Sequence, residues 1–154
     1  MRTLLDNAKS WFLESLLYGD QLRVVVVEGI RADTPESLKV GEHVIQNLHA
    51  LEPSPRSRRA VVLFSQLVAW QVVDESYTLL DKSEVRDDTS FLSTLARSAY
   101  LQYVETHHGW FRDMVGPANH YRLWTERGYR RDHPYRTYYS ATEENLTWRC
   151  GRTG

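Results

Sequence analysis

Residues 59–77, RAVVLFSQLVAWQVVDESY, constrain the fold more than any other stretch of this chain. Val61-Val62-Leu63-Phe64 reads as a strand, because β-branched residues lose rotamer freedom in a helix and pack well on a pleated surface. The second half alternates, with Val68, Trp70 and Val72 on one face and Leu67, Ala69, Gln71 and Val73 on the other. Apolar residues on both faces predict a strand central in its sheet, so the core is expected to centre on 61–73. The run 22–27, with four consecutive valines at 24–27, predicts a second strand covered on both faces.

Around these runs the chain is punctuated. Leu4, Leu5, Ala8, Trp11, Phe12, Ser15 and Leu16 fall at helical spacing, which predicts an N-terminal amphipathic helix over 4–18, ended by Gly19. Asp33-Thr34-Pro35 and Pro53-Ser54-Pro55 are loops by their turn chemistry, with a strand favoured between them from about Val40. A strand near 91–96 precedes a short helix at 98–107 capped by Ser98, with Gly109 closing it. Gly116-Pro117 is a turn, and His120 to Thr125 alternates as a last strand. The set predicts an α+β domain with a mostly antiparallel sheet, a two-sheet sandwich being the alternative arrangement.

At 154 residues the chain has the length of one domain. A net charge of −1 argues against a whole-surface field for nucleic acid or membrane. The lone Cys150 cannot staple a secreted fold. Glu28, Arg58 and Asp74 interrupt the apolar runs below membrane-spanning length, and Asp6 and Lys9 break any signal-peptide core. A cytoplasmic protein is expected.

Composition changes after Thr125. Residues 127–154 hold six arginines against three acids and contain no Val, Ile, Met or Phe, a net of +3 that leaves −4 on the preceding body. The globular domain is therefore expected to span 1–125, with 126–154 an Arg/Tyr-rich, weakly packed tail. Two other readings of the tail are a nucleic-acid-binding arm, arginines neutralising phosphates while Tyr129, Tyr135 and Trp148 stack on bases, and translation out of frame. The second follows from the code: with CGN codons for the arginines, reading Tyr129 to Pro134 one base later can give an alternating Val/Ile-rich strand pattern.

The strings VAWQVVDESY (68–77), RSAYLQYV (97–104) and His120-Tyr121-Arg122 resemble a group of small uncharacterised bacterial β-rich proteins. In that group the pattern continues past the HYR strand with a Val/Ile-rich segment, from which this chain departs at about Glu126. The resemblance carries no activity with it.

No catalytic or phosphate-binding motif is present: there is no GxSxG elbow, no glycine-rich phosphate loop and no Cys/His nucleophile pair, so no cofactor is expected. Five tryptophans and nine tyrosines are many for this length, and such side chains anchor interfaces where they are exposed. The favoured expectation is a protein-binding module, immunity- or antitoxin-like, with a protein partner or self-association and neither nucleic acid nor membrane as partner. Its candidate binding residues are Trp70, Asp74, Glu75, Tyr77, Trp110 and Trp124. The alternative is a metal-dependent hydrolase, which would need His107, His108 and His120 to converge with an acid such as Asp113. Nucleic-acid binding through the tail stands third.

Overall fold

The computed structural model describes residues 3–74, 81–86, 91–126, 136–143 and 146–151. In chain order the strands are β1 (Trp11–Tyr18), β2 (Leu22–Glu28), β3 (Ile30–Arg31), β4 (Glu36–Val40), β5 (His43–Leu48), β6 (Leu51–Glu52), β7 (Arg59–Phe64), β8 (Ala69–Asp74), β9 (Val85–Arg86) and β10 (Leu92–Arg97). Helices α1 (Ala99–His108) and α2 (Phe111–Val115) follow, then β11 (Asn119–Glu126), β12 (Arg136–Glu143) and β13 (Leu146–Gly151). The protein is mostly β, and the helical share is small.

Among the described residues nine strands join one sheet, in the order β13-β7-β2-β1-β11-β10-β9, with β12 and β8 branching from β11. Every pairing is antiparallel except β1 with β11, which meet in parallel at Phe12 and Glu126. β10 pairs with β11 from His120 to Leu123, β1 reaches it only at Glu126, and β12 pairs along its whole length. The sheet curls as a consequence. Leu22, Val24, Val26, Val62 and Phe64 share one apolar cluster with Leu92 and Leu123, and the Phe64 and Tyr121 rings stand 6.2 Å apart. Val24, Val26 and Val62 are fully buried, each stabilising the fold by roughly 1.5–3 kcal/mol.

The valine run is the true centre of the fold: β2 lies between β1 and β7, and Val24 to Val27 are all buried. Expectations for two neighbouring segments are overturned. The N-terminal helix over 4–18 is absent. A single 3-10 turn, Leu4–Asn7, leads into strand β1, anchored by the Trp11 indole N–H donating to the Leu5 carbonyl at 2.8 Å. The cause is a bulge between Leu13 and Ser15, which interrupts the alternation of β1 so that Trp11, Leu13 and Leu16 all reach the core. That broken period imitates helical spacing, and pairing with β2 overrides it. Gly19 lies in the β1–β2 turn.

β8 is the second correction. It pairs with β12 alone among the described strands, and Trp70 and Val72 are exposed. Apolar residues on both of its faces signal an open surface, not a central position. The Ser98-capped helix and the strand before it stand where the sequence puts them, while α2 was not anticipated. The backbone of β12 and β13 extends the sheet beyond residue 125. Residues 127–135 of the tail lie outside the described residues.

Beyond Val27 and Arg59 the β2–β7 ladder continues as a two-stranded arm. Ile30 pairs with Glu52 and Arg31 with Leu51, the Ala32 N–H donates to the Ala50 carbonyl, and β4 and β5 close the arm at Gly41-Glu42. Gly41 has φ +61°, the left-handed conformation that a tight hairpin turn requires. Every residue of β4 and β5 is exposed.

Candidate aromatic docking site

At the other end of β2 and β7 the β1–β2 turn and the β7–β8 turn lie side by side, because Tyr18 pairs with Leu22 and Leu22 with Phe64. Helix α2 closes over them. The three segments enclose an open cleft of about 540 Å³, with Tyr18, Asp20, Leu67, Trp110, Phe111 and Met114 in its wall. Phe111 is buried and fixes α2 to the body, while Trp110 and Met114, four residues apart and so on one face of the helix, stand out. Their exposures are large: 73% for Trp110, 72% for Met114 and 64% for Tyr18. Tyr18 also contacts Trp70, ring centroids 6.1 Å apart, and Trp70 is itself 37% exposed. An aromatic patch therefore runs from Trp70 through Tyr18 into the cleft. The wall also carries the Asp20 carboxylate, which makes no hydrogen bond or ion pair among the described residues.

Of the candidate binding residues, Trp70 and Trp110 belong to this patch, joined through Tyr18. Asp74 is half-buried at the end of β8, in register with Thr137. Trp124 is half-buried within β11, its backbone N–H donating to the Phe91 carbonyl at 2.7 Å, and it does not line the cleft. Glu75 and Tyr77 lie outside the described residues. Tyr18 and Met114 escaped the sequence reading. Tyr18 falls in the segment read as a helix, and nothing local separates an exposed Met from a buried one.

The candidate metal ligands do not converge. His107 and His108 lie in the last turn of α1 against Tyr103, with ring centroids at 4.6 and 6.2 Å. His120 is fully buried in β11, its Nδ1 2.6 Å from the Ser98 Oγ and its ring 5.2 Å from that of Tyr100. Among the described residues no three His, Cys, Asp or Glu side chains are grouped to hold a metal ion. The histidine alternative thus has no centre there.

The Ser98–His120 pair has the residue types of a hydrolytic dyad but not the access. Both side chains are buried, and Ser98 Oγ already accepts the Leu101 N–H at 3.0 Å as the N-cap of α1. In either tautomer of a neutral imidazole Nε2 lacks a partner among the described residues. Burial, with Arg122 beside it, pushes the His120 pKa down to about 3, and burial with Tyr103 nearby pushes that of Tyr100 up to about 12. The pair joins α1 to β11. Ser98→Ala removes the cap and orphans Nδ1, and thermal or denaturant unfolding should register a loss of about 2–3 kcal/mol.

Beside it lies a buried ion pair. The turn from Asp81 brings Glu84 onto Arg122, and the two side chains form two hydrogen bonds, each of 2.6 Å, at exposures of 6% for Arg122 and 9% for Glu84.

No protein-family model matches the chain, no curated protein matches it, and no solved structure matches it. No helix among the described residues is long and apolar enough to cross a membrane.

Proposed function

We propose that this chain is a protein-binding module whose docking surface is the aromatic patch formed by Trp70, Tyr18, Trp110 and Met114. One observation carries the reading: Tyr18, Trp110 and Met114 stand open around one cleft, and Tyr18 joins them to the exposed Trp70, whereas Trp11 and Phe64 are buried in the core. Contiguous exposed apolar surface is costly for a monomer to keep, and Trp and Tyr are the residue types that dominate binding energy at interfaces. The Asp20 carboxylate in the cleft wall, and the charge of −4 on the chain before residue 127, favour a partner with a basic rim. That combination supports an immunity- or antitoxin-like protein that covers a basic protein in the cytoplasm. We read the β1–β2–β7 and β10–β11 parts of the sheet, which share one apolar cluster, as the two faces of a sandwich that holds the patch rigid.

The test is affinity capture with the full-length chain from the cells that express it, followed by reconstitution with the purified partner. A cognate partner is retained by wild type, lost with Trp110→Ala or Met114→Ser, and retained by Ile45→Lys on the distant arm. Capture that the cleft variants leave unchanged would sink the reading.

A further inference from the structure

The arm carries a second surface, at the opposite end of β2 and β7 from the cleft. Leu38, Val40, Val44, Ile45 and Leu48 are all exposed on it, with Leu38, Val40 and Ile45 on one face and Val44 opposite Lys39 on the other, and among the described residues β4 and β5 pair only with each other. A two-stranded ribbon is marginal in water by itself, and stability begins at three or more strands with an apolar face. Its two open edges differ. β4 carries Glu36 and Lys39, the charges by which natural edge strands block pairing. β5, His43-Val44-Ile45-Gln46-Asn47-Leu48, has no acid, no Lys or Arg and no proline. A bulge sets Gln46 and Asn47 against Ser37, with Asn47 at φ +60°, and bends the strand at its base. The segment 43–46 beyond it is left as an unguarded edge.

We propose that two copies of this chain join through these arms, β5 pairing antiparallel with β5 of the second copy about a two-fold axis. A second copy fits the edge because it presents the same uncharged strand, so no like charges are opposed, and the product is a four-stranded ribbon with Leu38, Val40 and Ile45 of both arms on one face. The assembly closes at two, since its outer edges are the charged β4 strands. Its size sets its strength. The pairing strand of each copy is the six-residue β5, against about 20–30 residues per side in a standard interface, so the dimer is reversible and its population rises with concentration. This contact is independent of the cleft.

Sedimentation velocity on the full chain, from low micromolar to several hundred micromolar, tests it. Wild type should shift reversibly from monomer to dimer. Ile45→Lys, which opposes two cations across the axis, should weaken the dimer at least about tenfold, while Ile45→Val and Trp110→Ala leave it unchanged. Position 45 is exposed, so the Lys variant should keep the wild-type circular dichroism and melting temperature, and a folded monomer then reports the contact itself. A wild type that stays monomeric throughout, a dimer indifferent to Ile45→Lys, or open-ended growth instead of a dimer would each overturn the proposal.

Discussion

Replacing Glu84 by Gln is expected to cost about 3–5 kcal/mol of folding stability, a large part of what a domain of this size has to lose. Both side chains of the Arg122–Glu84 pair are almost wholly withdrawn from water and their two hydrogen bonds are short. Neutralising the carboxylate removes the negative charge from both short hydrogen bonds to a buried guanidinium, and the cost is the desolvation of that charge which Glu84 had offset. The pair is not worth the same amount when both members go. Exchanging both for apolar residues, Glu84→Leu with Arg122→Met, should recover most of the loss, because the double variant buries neither charge. A double-mutant cycle read by urea unfolding checks this, and near-additive losses would show that the two residues act separately.

His120 gives the second large effect, in the pH dependence of stability. The folded protein holds the imidazole neutral down to about 3, whereas the unfolded chain takes up its proton near the ordinary value of 6.5. Between those values the unfolded state binds more protons, so the contribution is complete above pH 6.5 and is lost as pH falls towards 3. The slope approaches about 1.4 kcal/mol per pH unit, and the whole window is worth up to roughly 4–5 kcal/mol. The Glu28 carboxyl, held below its ordinary 4.5 by hydrogen bonding to Arg58, acts in the same sense but only at lower pH. The interval from pH 6.5 to 5 therefore isolates the imidazole from that pair. His120→Asn keeps an acceptor for Ser98 and removes the titration, so urea unfolding at several pH values should show the slope flattened in that interval. An unchanged slope would mean that the buried ring is not its source.

These two sites show what the sequence made legible and what it could not. The valines at 24–27 and the Ser98 cap could be read because each rests on local chemistry: rotamer restriction in one case, a side-chain oxygen meeting an orphan N–H in the other. β1 was misread because a bulge destroys the period on which such reading depends. β8 differs from its expected central place because two-sided hydrophobicity fits both a buried strand and an exposed apolar one, and the residues themselves do not say which. Arg122 and Glu84 lie 38 positions apart and meet only through the fold. The cleft is the same kind of object. Tyr18, Leu67 and Trp110 come from separate segments, and their meeting depends on the β1–β2–β7 pairing that sets the two turns side by side. Trp70 and Trp110 could be nominated as residue types, but the patch that unites them could not.

Calorimetric titration of the purified partner against wild type and Trp110→Ala tests most directly whether that patch binds. A tryptophan anchoring a protein interface should cost at least about 2 kcal/mol on truncation, a loss of about 30-fold in affinity, with the fold intact because the side chain stands in solvent. An affinity unchanged within about twofold, a difference of only about 0.4 kcal/mol, would contradict it.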